Sequence, residues 1–238
     1  MQELICVDKY HNEKSAYFNV YSNCPISQSL RKNTIWEPHL HRVFEKYVNE
    51  DSIVIEAGCH IGSHTIKLGK LCKTLYAFEP LPTSNELLTK NVEANNLSNV
   101  IISNCGLSYN FDEVKYNWIP GDNPGGSGLS NNPTGKPQWL RETQEEVKVQ
   151  LTTIDAMNLS GLDFMKIDVE GYEVNVIRGA METIKRFRPI IAMEVWADHT
   201  GRVDMDYTKS LFQNLIDIDY TVQHIMGPDF LFIPLHPW

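Results

Sequence analysis

Ile53–Thr65, reading IVIEAGCHIGSHT, decides the fold. Ile53, Val54 and Ile55 run without a polar break into Glu56, Gly58 and Gly62 bracket a turn, and Ile66-Lys67-Leu68-Gly69-Lys70-Leu71 opens a helical pattern. The order is buried strand, glycine turn, helix, the first half of a βα unit. Such a turn lets backbone pass close to a ligand, because Gly58 and Gly62 carry no Cβ and tolerate positive φ. The spacing is Glu-x-Gly-x-x-x-Gly and lacks the Gly-x-Gly-x-x-Gly that suits a pyrophosphate. An acid at the strand end, where a dinucleotide would bring phosphate, points instead to a cationic or amine-bearing ligand.

One βα unit later, Thr74–Phe78 is a β-prone run that ends in Glu79-Pro80. A carboxylate at the carboxyl end of that strand can accept hydrogen bonds from both vicinal ribose hydroxyls. Glycine turn plus ribose acid means a nucleoside without phosphate. S-adenosyl-L-methionine meets that description: an adenosine bearing a sulfonium and an amino acid, with an ammonium for Glu56 to attract.

The residues also match a family. EAGCHIGSHT at 56–65, YAFEP at 76–80, NVEANNLSNV at 91–100, LTTIDAM at 151–157 and above all FMKIDVEGYEVNVIRGA at 164–180 resemble the FkbM-type class I methyltransferases that use S-adenosyl-L-methionine. The resemblance spans roughly residues 34–235. KIDVEGYE is its specific part, since the glycine turn alone would identify only the superfamily. It implies an α/β Rossmann-like fold: a seven-stranded, mostly parallel sheet with an antiparallel last strand and helices on both faces.

The chain of 238 residues is long enough for one α/β domain with a full core, and no shift in composition divides it. A net charge of −9 leaves no basic footprint for nucleic acid or an anionic membrane. Apolar runs are far shorter than a membrane span and Met1-Gln2-Glu3-Leu4 begins no signal peptide, so the chain is expected to be soluble and cytoplasmic. The five cysteines have no CxxC spacing and read as reduced thiols, Cys59 being a small neutral filler in the glycine turn. Nothing in the pattern sets an oligomeric state.

Residues 1–33 read as a loosely structured lead-in packing on the domain of 34–238. A helix runs from Pro38 to about Asn49, preceded by Trp36 and Glu37, which either contact the cofactor or, for Trp36, anchor the core. Pro82 opens a helix to about Asn95, and Val100–Ser103 is the next strand. Asn104 follows; the resemblance places adenine there, and a plain turn asparagine is the alternative. Residues 108–150 interrupt the rhythm as a loop or hairpin excursion, with Glu113–Ile119 and Glu145–Thr152 strand-like and Gly121–Gly128 irregular. Leu162–Asp168 is a strand, Val169–Gly171 a turn, and a helix continues to about Phe187, where Pro189 stops it. Ile190–Val195, a helix over Asp206–Asp217, and a pair of strands at Tyr220–Met226 and Phe230–Ile233 complete the chain.

Glu56, Gly58, Glu79, Asn104, Asp168 and Glu194 all fall at strand carboxyl ends, where open α/β sheets bind ligands. Cofactor contacts are therefore assigned to Glu56, Gly58, Gly62, Glu79, Pro80, Asn104 and Asp168. Methyl transfer from a sulfonium needs alignment and removal of the acceptor's proton. Asp168 and Glu170 are the candidates for that removal, with Glu170 alternatively capping the helix after it. His60, where the family usually has asparagine, is either a further base or a hydrogen-bonding element of the turn, and His64 is a solvated or packing residue. Lys166 shares a strand side with Asp168, and either pairs with it, weakening it as a base, or neutralises an acidic acceptor. With Lys166, Glu194 and Trp196 are assigned to the acceptor, Trp196 as a ring to stack on a sugar. Asp168, Glu194 and Asp198 have the oxygen ligands Mg²⁺ prefers, but no spacing demands a metal and none is assigned. The expected activity is O-methylation of a sugar or glycan hydroxyl. The alternatives are O-methylation of a polyketide or other small metabolite, and a catalytically inert cofactor-binding partner module.

Overall fold

A computed structural model describes residues 3–22, 24–118, 128–129, 145–195 and 205–236. Strands β1 (Glu3–His11) and β2 (Lys14–Val20) lead to α1 (Pro25–Arg31) and α2 (Pro38–Tyr47). Then come β3 (Ile53–Ala57), α3 (Thr65–Gly69), β4 (Thr74–Phe78), α4 (Pro82–Ala94) and β5 (Val100–Ser103). The excursion holds β6 (Gly106–Leu107), β7 (Asp112–Trp118), β8 (Gly128–Leu129) and β9 (Glu145–Thr152). The remainder is β10 (Phe164–Ile167), α5 (Glu173–Arg178), α6 (Met181–Phe187), β11 (Ile190–Glu194), α7 (Met205–Ile216), β12 (Tyr220–Met226) and β13 (Asp229–Pro234).

The main sheet has seven strands in the order β12-β13-β11-β10-β3-β4-β5. β13, the last strand in the chain, runs antiparallel to both its neighbours, while β11, β10, β3, β4 and β5 are parallel. This is the expected Rossmann-like architecture. Between β3 and β10 the order of winding reverses, the switch point at which open α/β sheets carry their ligand crevice.

Alternation along the strands sends side chains to two cores. Ile55, Met165, Ile191 and Met193 face α5, α6 and α7, packing on Val176, Ile177, Ile184, Leu211 and Leu215. Val54, Leu75, Phe164 and Ala192 face the other way, onto Leu40, Phe44 and Val48 of α2. Proline at the first turn of both α2 and α4 costs no hydrogen bond there and presets φ for a helix.

Three expectations need correcting. Residues 3–20 are not loose: β1 and β2 form an antiparallel hairpin whose inner face, Val7, Tyr10, Ala16, Phe18 and Val20, packs on Leu87, Leu88 and Val92 of α4. The helix expected to reach Phe187 unbroken is two helices. Gly179 ends α5 where the Ser108 carbonyl leaves no room, since a Cβ there would lie 1.8 Å from its oxygen. Asp155 then starts α6 afresh, its carboxylate accepting from the amides of Thr183 at 2.8 Å and Glu182 at 3.3 Å. Finally Gly128, assigned to an irregular run, pairs with Asn117 in β8 against β7; residues 121–127 lie outside the described residues. Among the described residues no helix is long and apolar enough to cross a membrane.

Asn91 of α4 ties the hairpin to the glycine turn. Its Nδ2 donates to the Ile61 carbonyl at 2.7 Å and the Asn19 carbonyl at 3.0 Å, and its Oδ1 accepts from the Asn19 amide. Asn91→Ala is expected to lower stability by about 2–3 kcal/mol, because it strands buried main-chain groups on both segments. Urea denaturation followed by tryptophan fluorescence measures it, and a loss below about 0.5 kcal/mol contradicts the account.

Candidate functional site

The turn between β3 and α3 is folded by its own strands more than it is opened for a ligand. Gly58 has φ +81°, and a Cβ there would sit 1.7 Å from the Asp168 carbonyl oxygen. A Cβ on Gly62, at φ +88°, would come within 2.7 Å of the Leu88 side chain. Glycine is therefore required at Gly58 by the close approach of β10's exit, and favoured at Gly62 by the left-handed backbone, since the Leu88 methyl is the movable end of a side chain.

Glu79 is where the turn is fastened. The carboxylate is 5% exposed, and its Oε2 accepts from the His60 amide at 2.8 Å while Oε1 accepts from the Leu81 amide at 2.9 Å. Burial pushes its pKa up to about 7, against the pull of those two amides. Nothing in the sequence indicated these bonds, because the amides come from segments that meet only in the fold. Asn104 fastens the next strand end in the same manner, its Nδ2 donating to the carbonyls of Glu79 at 2.9 Å and Pro80 at 3.2 Å. That amide nitrogen is thus committed to main chain, not to a purine edge.

Glu56 and Lys166 are register partners on β3 and β10, and both side chains are buried beneath α2. Glu56 has no exposed surface; its Oε2 accepts from the Thr65 hydroxyl at 2.6 Å and its Oε1 has no partner. Burial raises its pKa, opposed by the Lys166 charge. The carboxylate expected to attract an ammonium therefore acts from beneath the floor and does not line the crevice. Lys166 Nζ bonds Asp168 Oδ2 at 3.0 Å. Burial alone would push the ammonium down, but the negative charges of Asp168 and Glu56 hold it above its ordinary value. Of its two sequence readings the pairing is realised; a buried Lys166 cannot reach an acceptor in the crevice.

Asp168 is the accessible end of this chain of charge, its side chain 31% exposed. Burial pushes its carboxyl up, yet the Lys166 ammonium and the bond to it outweigh that and leave the pKa below the usual carboxylate range. Glu194 behaves oppositely: burial, then the charges of Asp168 and Glu170, drive it well above that range. The two neighbouring carboxyls are thus pushed apart, Asp168 toward the ionised form and Glu194 toward the protonated one. Glu170 sits at φ +54° in the turn before α5, not at the helix start, and no side chain caps that helix at its first position. Glu173 organises this turn, accepting from the Gly171 amide at 2.9 Å, a role the sequence reading missed although the residue lies within KIDVEGYE. Oxygens of Asp168, Glu170 and Glu194 lie within 4.8 Å of one another. That spacing by itself assigns no ion.

Around the rim, His64 Nε2 bonds Glu37 at 2.9 Å while its ring packs on His41 and Phe44, so it is a packing residue and not a solvated one. His39 bonds Asp229 at 2.6 Å. Cys59 is buried and its thiol pushed up by that burial, as befits a filler. The His60 side chain makes no hydrogen bond within the turn; only its main-chain amide does. Trp196 and Asp198 lie outside the described residues.

With that geometry in hand, residues 56–224 match the model of the methyltransferase FkbM domain. Methyltransferase 1 of Beauveria bassiana is 29% identical over 150 residues, covering 55% of this chain and 59% of that protein. Hexuronic acid methyltransferase AglP of Haloferax volcanii is 25% identical over 192 residues, 78% of this chain and 72% of that one. Among solved structures, methyltransferase FkbM from Methylobacillus flagellatus KT aligns over 81% of this chain and 50% of its own, with TM-score 0.51 and 16% identity. The last likeness is one of fold alone. This chain spans 59% of Methyltransferase 1 and half of the solved FkbM protein.

Two outcomes follow from the charge chain and the fastened turn. Lys166→Met is expected to cost about 3–5 kcal/mol in chemical denaturation, because Glu56 and Asp168 lose the charge that offsets their burial. Glu79→Ala is expected to cost about 2–3 kcal/mol by freeing the His60 and Leu81 amides; a melting temperature equal to that of the parent refutes the fastening role.

Proposed function

The chain belongs to the methyltransferase FkbM domain family, and from that premise we propose that it is an S-adenosyl-L-methionine-dependent O-methyltransferase acting on a hydroxyl of a sugar or glycan. The cofactor's fit rests on Glu79 and His60. A carboxylate has about four acceptor positions, and two of Glu79's are filled by the His60 and Leu81 amides. The remaining positions suit vicinal ribose hydroxyls. Beside it, the His60 ring nitrogens are shielded and without partners, polar atoms left for a ligand to satisfy. Bound there, the cofactor supplies a methyl group on a positively charged sulfur, ready for in-line displacement by an oxygen nucleophile.

What the chain supplies is alignment and a sink for one proton. The observation that carries the reading is the Asp168–Glu194 pair at the ends of adjacent strands, their carboxyl oxygens within 4.8 Å of each other, one carboxyl pushed below the usual range and its neighbour above it. Ionised Asp168 accepts a hydrogen bond from the acceptor hydroxyl and orients its oxygen. Asp168, with Glu194 beside it, would take up the proton that the acceptor hydroxyl loses on methylation. A site dense in carboxylates also suits a polyhydroxylated acceptor, whose several O–H groups all donate. The sugar class draws further support from the hexuronic acid methyltransferase among the relatives.

Incubation with a glycan panel and the cofactor, followed by mass spectrometry, tests the activity; a gain of one methylene mass on a hydroxyl is the expected product. Asp168→Asn is expected to lower kcat at least about a hundredfold while calorimetry shows the cofactor still bound. Rising pH strips the proton from Glu194, and the added negative charge makes Asp168 the stronger base. The rate is therefore expected to climb with pH well above the ordinary carboxyl range, and Glu194→Gln to flatten that limb. A climb that persists in Glu194→Gln assigns it to another group and removes the pair's role.

A further inference from the structure

His60 combines a left-handed backbone, an aromatic contact and unpartnered ring nitrogens. It holds a left-handed backbone, φ +51°, which costs a non-glycine residue stability. Its imidazole is wedged against Tyr21 of the N-terminal segment, ring centroids 5.6 Å apart and planes tilted by 33°. Tyr21 is itself held, its hydroxyl within 3.1 Å of Ser84 Oγ and 3.2 Å of Thr83 Oγ1. The main-chain amide of His60 is bound to Glu79. So the residue is held by its ring on Tyr21 and by its main chain on Glu79, and yet Nδ1 and Nε2 are both shielded from solvent with nothing to bond. A buried polar pair without partners is unfavourable unless something completes it.

Burial keeps the ring neutral at physiological pH, its pKa lowered to about 4. It therefore offers one N–H donor and one acceptor. Gly58, two residues before it, lies against the Asp168 carbonyl, which brings the turn carrying the ring up to the end of β10. In an adenosine held at Glu79 with its reacting group beside Asp168, the remaining substituent would be the part left to meet this ring. That substituent is an amino acid. The crevice is rich in groups for its ammonium: Asp168, Glu170 and Glu194. For its carboxylate those acids are repulsive, and the nearby Lys166 ammonium is already engaged by Asp168.

We propose that the imidazole of His60 is the donor to the α-carboxylate of the bound cofactor, the group that distinguishes S-adenosylhomocysteine and its methylated parent from a plain thioadenosine. This rests on the cofactor reading given above. The left-handed backbone is what aims the ring, and Tyr21 what keeps it aimed. The hairpin segment thereby takes part in cofactor recognition without touching the nucleoside.

Calorimetry with two ligands separates the possibilities. S-adenosylhomocysteine carries the amino-acid end; 5′-methylthioadenosine lacks it. His60→Phe, which keeps a ring against Tyr21 but no donor, is expected to weaken S-adenosylhomocysteine by about tenfold or more and to leave 5′-methylthioadenosine within about twofold. His60→Asn restores an N–H donor and tolerates the left-handed backbone, and is expected to bind both ligands nearly as the parent does. In the unaltered protein, the ¹⁵N resonances of the His60 ring should shift with S-adenosylhomocysteine and stay put with 5′-methylthioadenosine. Equal losses on both ligands, no loss on either, or a ring silent to S-adenosylhomocysteine overturns the proposal. If the unaltered protein binds neither ligand, it is the cofactor reading that fails.

Discussion

One ammonium governs the electrical state of the crevice. Lys166 is 3% exposed and stands between Glu56, its register partner on the next strand, and Asp168, two residues further along its own. Neither Glu56 nor Lys166 would keep a charge alone at that depth, since an isolated charge out of water loses several kcal/mol of hydration. The Lys166 ammonium holds Asp168, at the crevice face, below the usual carboxylate range. Burial, and then the charge of Asp168, pushes Glu194 the other way, well above that range. Two carboxyls, chemically alike, are made to differ by which of them the lysine can reach.

The parts of the fold visible in the sequence are those decided locally. Thr74–Phe78 and Val100–Ser103 are strands over the very residues expected, because apolar β-prone runs bounded by turn formers leave little choice. The hairpin of residues 3–20 was hidden by its own irregularity. Its register shifts between Val7 and His11, so the inward residues Val7 and Tyr10 break the two-residue rhythm that identifies a strand. The division of α5 from α6 was hidden for a different reason: it depends on the Ser108 carbonyl, about seventy positions upstream.

Within the site, the sequence located the right strand ends but not the directions of the side chains. Glu56 sits at the end of β3, yet it shares a face with Val54 and so points under α2, where strand alternation must put it. Glu79 and Asn104 were read as ligand contacts, and both are committed in part to main chain that no linear pattern reveals. His60 was visible as a departure from the family pattern. Only the fold shows that its side chain is left without a partner while its main chain is fully employed.

The amide of Asn91 touches three stretches of chain at once: its own helix, Asn19 in β2, and Ile61 in the turn that carries His60. Changes made in the outer hairpin and changes made in the glycine turn therefore share a relay. Sequence drift at residues 17–21 and at residues 58–62 would be expected to proceed in concert, a substitution tolerated in one being conditional on what the other already holds. For anyone recombining segments between relatives of this chain, the natural unit of exchange includes the hairpin.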